Sequence, residues 1–95
     1  MNPKKVARET TEKLTDLPNI GISLAENLKR IGIDTPEKLE EKDPYELYQK
    51  LCKVTGKRQD PCVLDIFMSV TDFMDGGEPQ VWWKYTDERK KKYRI

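Results

Sequence analysis

The sequence predicts an all-α fold, a compact bundle of about five short helices. Three observations predict it: helix-start signals recur, apolar residues repeat at helical spacing, and strand-like alternation is absent over any useful length. The helices are expected near residues 5–16, 23–31, 36–42, 44–54 and 61–74. A chain of 95 residues with 36% apolar residues suits one domain with a thin core.

Three of these helices begin with the same local chemistry. Each start places a side-chain oxygen, which accepts from free backbone N–H groups, before a proline, which has no N–H group to satisfy. The pairs are Thr35-Pro36, Asp43-Pro44 and Asp60-Pro61. The run from Asp75 to Pro79 contains two glycines and is expected to end the last long helix.

Apolar residues form one stripe on each of three helices, which predicts that each helix buries one face. The stripes are Leu24, Ala25, Leu28 and Ile31, then Leu47, Tyr48, Leu51 and Cys52, and finally Val63, Ile66, Phe67, Val70 and Met74. On the third helix, Asp65, Ser69 and Asp72 share the opposite, polar face.

The chain lacks the residues that common catalytic and metal sites require. It has no histidine, and Cys52 and Cys62 alone cannot supply the four ligands of a structural zinc site. Gly76-Gly77 is followed by Glu-Pro, which suits a turn rather than a phosphate-binding loop. We therefore expect a non-catalytic protein without cofactor or metal, whose cysteines are buried thiols, with a disulfide as the alternative.

No apolar run approaches the ~20 residues that span a bilayer, so no membrane partner is expected. The polar N-terminus lacks the apolar stretch of a signal peptide, and the expected location is the cytoplasm.

The segment from Leu14 to Ile33 predicts two helices joined by a tight turn. Pro18 ends the first helix, Asn19 tolerates a left-handed backbone, and Gly21 has no Cβ to obstruct the turn. Burial between the helices is expected for Leu14, Leu17, Ile20, Ala25 and Leu28. Free N–H groups at the start of a helix favour anions, so the amides of Ile20, Gly21 and Ile22, with the Ser23 hydroxyl, are a candidate phosphate site that also includes Asn19.

This pattern resembles the helix-hairpin-helix family, which implies a SAM-domain-like fold and contact with duplex DNA phosphates. The blocks G-I-D-T-P-E-K-L, D-P-Y-E-L-Y-Q-K-L-C and D-P-C-V-L-D-I-F resemble the bacterial pathogenicity locus family, some members of which are described as mitomycin-resistance proteins. The resemblance covers roughly residues 7–85. Asn19 stands where DNA-binding hairpins usually have their first glycine, and the charges within residues 14–33 sum to zero. The hairpin therefore either contacts DNA or only joins helices at a fixed angle.

Positive charge is concentrated at both ends of the chain. Residues 84–95 carry six basic and two acidic side chains, whereas residues 14–83 carry eight basic and thirteen acidic ones. We expect one helical domain over residues 1–85 and a basic tail over 86–95, which either assists DNA binding or is simply solvated. The basic residues expected to assist are Lys29, Arg30, Lys84, Arg89, Lys90, Lys91 and Lys92, with Lys4, Lys5 and Arg8 at the other end.

Two adjacent tryptophans, Trp82 and Trp83, cannot both face the core from one helix, so one is expected to pack inside and the other to be partly exposed. The exposed ring would suit an unpaired base or a partner protein. The first hypothesis for the chain is sequence-independent binding of double-stranded DNA. The alternatives are a protein-protein interaction module and a self-associating domain.

Overall fold

A computed structural model describes residues 11–95 of the chain. Within them the regular structure is helical: α1 spans Ile22–Arg30, α2 Pro44–Thr55, α3 Pro61–Met74 and α4 Thr86–Tyr93. Short 3-10 segments lie at Leu14–Asp16, Pro36–Leu39 and Trp82–Tyr85. The predicted all-α fold is confirmed, and α1, α2 and α3 start and end within one residue of the predicted bounds.

Helix α3 lies at the centre of the fold. Ten of its fourteen residues are buried, and α2, α4 and the 3-10 segments at Pro36–Leu39 and Trp82–Tyr85 all pack against it. The core around it is formed mainly by leucine, isoleucine and phenylalanine side chains, of which Leu17, Leu28, Leu39, Leu51, Leu64 and Phe67 are completely buried. A helix buried on several sides needs apolar residues around most of its circumference, which α3 has.

Local chemistry sets the first residues of α2 and α3, as the sequence predicts. The Asp43 carboxylate accepts a hydrogen bond from the Tyr45 N–H group at 2.9 Å, and Asp60 accepts one from Cys62 at 3.0 Å. Both aspartates therefore cap their helices. Thr35 makes no side-chain cap bond, and the segment that follows it is a 3-10 helix that ends before Glu40 rather than the predicted helix over 36–42.

The α-helix expected over residues 5–16 is not present in residues 11–16, the part of this segment that the structure describes. Residues 11–16 contain only the 3-10 segment Leu14–Asp16, and residues 5–10 lie outside the described part. The Asp16 carboxylate accepts from the N–H groups of Glu12 and Lys13, and these bonds compete with α-helical ones. Leu17, which precedes Pro18, is extended, because a residue before proline is disfavoured in the α conformation.

Residues 86–95 form no separate tail, in contrast to the domain boundary placed after residue 85. Thr86–Tyr93 are α4, which lies on the polar side of α3. The Asp65 carboxylate on α3 accepts from the Thr86 hydroxyl at 2.7 Å and lies 3.3 Å from the Arg89 Nε atom. The Tyr93 ring stacks on Tyr45 of α2, with centroids 4.8 Å apart. The polar stripe of α3 is thus the surface on which the C-terminal segment docks.

Candidate functional site

The turn before α1 places its backbone largely as the sequence predicts. Asn19 is left-handed, with φ 66°, and Ile20 is buried. Leu14, Leu17, Ala25 and Leu28 are buried as well, which confirms the predicted packing of this segment. Gly21 follows as the N-cap residue of α1.

The Asn19 side chain points into the protein rather than toward an external ligand. Its Nδ2 atom donates to the Ser69 Oγ atom on α3 at 3.0 Å and to the Gln80 carbonyl oxygen at 2.7 Å. Asn19 therefore fixes the turn to α3 and to the segment that leads into Trp82–Tyr85. This clamp, which we call the Asn19 clamp, removes the side chain from the predicted set of phosphate ligands.

The first turn of α1 leaves its N–H groups without partners in the described part of the chain. Gly21 has no side chain to cap the helix, and the first hydrogen bond within α1 is donated by Ala25 to the Gly21 carbonyl oxygen. No described group accepts from the N–H groups of Ile22, Ser23 or Leu24. The amide of Ile20, which was also expected in the site, instead makes a long bond of 3.5 Å to the Leu17 carbonyl oxygen.

Three amides at α1 are thus open, and the Leu24 amide lies outside the phosphate site expected from the sequence. The general rule that the first four N–H groups of a helix lack internal partners would have indicated it. In α2 and α3, by contrast, an aspartate carboxylate accepts from one N–H group of the first turn, that of Tyr45 in α2 and that of Cys62 in α3.

Gly21 itself is not required by the conformation of the turn, contrary to the prediction. Its φ of −96° and ψ of −174° are accessible to any residue. A Cβ atom at Gly21 would meet no atom of the described chain within 4 Å. The space beside the three open amides is therefore accessible from solvent.

Two side chains beside these amides face solvent. Ile22 is 78% exposed, unusually high for a large apolar side chain, and Ser23 is exposed as well. The Ser23 hydroxyl thus remains in the candidate site, whereas Ile22 contributes an amide and an exposed apolar surface.

Lys29 and Arg30 lie at the opposite end of α1 from the open amides. They occupy the last turn of a helix of nine residues, which is about 13 Å long. Lys29 also lies 3.6 Å from the Glu26 carboxylate. These two cations therefore do not lie beside the open amides, and their assistance in DNA binding stays a prediction.

The basic residues of α4 divide into one structural and several exposed side chains. Arg89 is buried, 6% exposed, against Asp65 and is unavailable to an external anion. The run from Lys90 to Lys92 is exposed in the last turn of α4, where positive charge complements the negative end of the helix dipole. Lys84 is exposed on the preceding 3-10 segment.

One tryptophan packs inside and the other is exposed, as predicted. Trp82 is partly buried against the core, and Trp83 is 60% exposed. Their ring centroids lie 5.6 Å apart at an interplanar angle of 84°, so Trp82 supports Trp83 edge to face.

The remaining features of the described residues are two thiols and a groove. Cys52 and Cys62 are free, partly buried thiols, and burial raises the pKa of Cys62 above its usual value. No described group of three or more acidic or cysteine side chains is arranged to hold a metal ion. A groove of about 650 Å³ lies between the end of α1 and the start of α2, and both glutamates and lysines line its walls. Among the described helices, none is long and apolar enough to cross a membrane.

Comparison with known proteins places the chain in a family. A family model described as "Pathogenicity locus" matches residues 7–91. The chain is 45% identical over 78 residues to a "Mitomycin resistance protein McrB" of Streptomyces lavendulae, an alignment that covers 82% of this chain and 74% of that protein. No solved structure matches it significantly. The family model and the aligned relative together identify the chain as a member of the pathogenicity locus family.

Proposed function

We propose that this chain is a non-catalytic DNA-binding domain that holds a backbone phosphate on the amides of Ile22, Ser23 and Leu24. The observation that supports the proposal best is that these three N–H groups have no partner in the described chain, although space beside Gly21 is open. In this proposal the turn and α1 act as the hairpin and second helix of a helix-hairpin-helix unit, and the protein works beside cytoplasmic DNA.

The chemistry of this surface predicts binding to phosphates without base recognition. Amides at a helix N-terminus and the partial positive charge of the helix dipole both favour an anion, and the Ser23 hydroxyl can donate a further bond. None of these groups reads a base edge. Since Lys29 and Arg30 lie at the far end of α1, few counterions are released, and we expect a dissociation constant of about 10⁻⁴–10⁻⁵ M with a shallow salt dependence.

Two substitutions at Gly21 test the proposal, because they differ by one oxygen atom. In Gly21→Ser, the new hydroxyl can accept from the N–H group of Ser23 or Leu24 and so cap the helix. In Gly21→Ala, the same Cβ is added but the amides stay free. We expect duplex affinity to follow the order Gly, Ala, Ser, with roughly three- to tenfold between Ala and Ser, measured by anisotropy of a labelled duplex.

Stability should change in the other direction, which separates binding from folding. Ser is a better N-cap than Gly, and Ala is a worse one, so the free energy of unfolding should be about 1 kcal/mol higher for the Ser variant than for the Ala variant. Equal DNA affinity of the two variants, despite this difference in stability, would show that the α1 amides do not bind the phosphate.

A second candidate function, docking to a partner protein, is favoured by the exposure of Ile22 and Trp83. Large apolar side chains at the surface often form the centre of a protein interface. An affinity capture with Ile22→Ser tests this, with Val54→Ser as the control, because Val54 is also exposed but lies on α2. A partner lost with the first variant and kept with the second, together with no duplex binding below roughly 100 μM at low salt, would favour docking over DNA binding.

A further inference from the structure

The end of α4 carries positive charge that no described carboxylate neutralises. Lys90, Lys91, Lys92 and Arg94 place four cations within five residues, and all four side chains are exposed. None of them forms an ion pair with a carboxylate in the described part of the chain. Positive charge near a helix C-terminus is favourable, but neighbouring like charges repel each other, so the helix dipole alone does not explain four of them.

Two contacts with the rest of the protein fix the rotation of α4 about its axis. The Arg89 Nε atom lies 3.3 Å from an Asp65 carboxylate oxygen on α3, and the Tyr93 ring stacks on Tyr45 of α2. Arg89 and Tyr93 are four residues apart and so lie on the same face of the helix, which is turned toward the protein. Each further residue is rotated by about 100°, which decides where the exposed cations lie.

The exposed cations lie on two different sides of α4. Lys90, Lys91 and Arg94 fall on the outer side, away from α2 and α3, and we call these three residues the α4 surface. Lys92 is rotated the other way and lines a cleft between α2, α3 and α4, where its Nζ atom lies 5.4 Å from the centroid of the Tyr93 ring. The α4 surface is thus separate from Lys92.

The two sides differ in the sign of their net charge. On the outer side, Asp87 lies one turn before Lys90 and Lys91, so the three cations of the α4 surface and this one carboxylate carry a net charge of +2. The cleft carries a net charge of −1, since its charged lining residues are Lys42, Lys92, Asp72, Asp75 and Glu88. An external anion is therefore attracted to the outer side and not to the cleft.

A DNA backbone suits the α4 surface better than an acidic protein does. Duplex DNA carries about one negative charge per 1.7 Å of its axis together with condensed counterions, and each counterion that a protein cation replaces gains entropy on release. A protein carboxylate has no condensed counterion to release, and long acidic side chains lose conformational entropy when they are ordered. Lysine and arginine each donate several hydrogen bonds and accept none, which fits phosphate oxygens.

We infer that Lys90, Lys91 and Arg94 form a second phosphate-binding surface for duplex DNA, separate from the amides of α1, and that this surface supplies most of the salt-dependent affinity. The inference rests on the proposed function in one respect, that the partner is DNA. The shallow salt dependence belongs to the α1 contact alone. With three further phosphate contacts, affinity should fall about 40-fold between about 50 and 200 mM salt.

Two double variants test the inference, because they remove equal charge from the two sides of α4. One replaces Lys90 and Lys91 by Gln, and the control replaces Lys42 and Lys92 by Gln. Anisotropy of a labelled duplex over a salt series gives the slope of log affinity against log salt concentration, which counts the phosphates contacted. We expect the slope to become shallower by about 1.8 in the first variant and by less than about 0.5 in the control.

Replacing Lys90 and Lys91 by Arg keeps both charges and should keep the slope, which separates loss of charge from loss of structure. A Gln variant at these two positions whose slope is unchanged, or no shallower than that of the cleft control, would overturn the inference. Competition by a polyglutamate peptide that is as effective as unlabelled duplex of equal charge would overturn it too, because the α4 surface would then not favour DNA.

The Gly21 variants keep this inference distinct from the proposed function. If Gly21→Ser binds more weakly than Gly21→Ala while the lysine variants leave the slope unchanged, phosphate binding at α1 stands and the α4 surface is wrong. If the Gly21 variants bind equally while loss of Lys90 and Lys91 makes the slope shallower, the α1 site fails and the α4 surface remains as the DNA contact. If no duplex binding is found at about 50 mM salt, both fail.

Discussion

Arg89 offers a direct test of whether the C-terminal helix is part of the fold. Its side chain is 6% exposed and pairs with Asp65, which is 1% exposed and lies on the central helix α3. In Arg89→Met the long apolar stem is largely retained, while the positive charge is lost. Asp65 then remains buried with the Thr86 hydroxyl as its described partner.

The cost can be estimated from the burial of the two groups. Breaking a buried ion pair by removing one partner costs about 3–5 kcal/mol, because the other charge stays desolvated. We expect about 3 kcal/mol here, since α4 packs at the edge of the fold and water can reach Asp65 when the helix loosens. Domains of this length have a total stability of roughly 5–14 kcal/mol, so this loss is a large fraction of it.

Thermal and urea unfolding, followed by circular dichroism, measure the effect. A loss of about 3 kcal/mol corresponds to a melting temperature lower by roughly 12–24 °C. Lys90→Met is the matched control, because it removes the same charge from an exposed position on the same helix and should change stability by less than about 0.5 kcal/mol. Adding Asp65→Asn to Arg89→Met should recover most of the loss, because Asn keeps an acceptor for Thr86 without the unpaired charge.

Two results would refute this reasoning. One is a loss in Arg89→Met no larger than that in Lys90→Met, which would mean that the pair is as screened as a surface contact. The other is no recovery in the double variant, which would assign the loss to altered packing of the side chain rather than to the buried charge.

Two further predictions concern pH. Burial and the hydrogen bond from the Tyr85 hydroxyl to Asp72 (2.8 Å) raise the pKa of Tyr85, so its contribution to folding stability is present below the ordinary tyrosine pKa of about 10 and is lost as pH rises beyond it. Tyr85→Phe should lower the free energy of unfolding by about 1 kcal/mol at neutral pH and make the alkaline limb of stability, measured by urea unfolding, flatter. An unchanged alkaline limb would contradict this prediction. The Cys62 N–H group lowers the pKa of the Asp60 carboxyl, so that contribution is present above its ordinary pKa and is lost as pH falls through the lowered value. Asp60→Asn should therefore make the acid limb shallower while the α3 cap remains, whereas an acid limb as steep as in the unaltered protein would show that other carboxylates control it.

Within the candidate site, the features that could be predicted from the sequence are those that depend on neighbouring residues in the chain. Asn19 is left-handed and Ile20 is buried because the turn after Pro18 requires such residues. The direction of the Asn19 side chain could not be predicted, since its partners Ser69 and Gln80 lie far away in the sequence. The same holds for Arg89, a basic residue in a basic run, whose burial depends on Asp65.

By itself, the sequence determined the helices whose signals are local. Asp43 and Asp60 cap α2 and α3 through amides two residues away, and the apolar stripe of α3 specifies a buried helix wherever it packs. Only the tertiary structure decided that residues 86–93 form a packed helix, α4. This helix has no apolar stripe and is held by contacts with Asp65 and Tyr45 on other helices. A cap acts within a few residues of chain, whereas a buried ion pair exists only after two distant helices have come together, and periodicity in one segment carries no information about its partner.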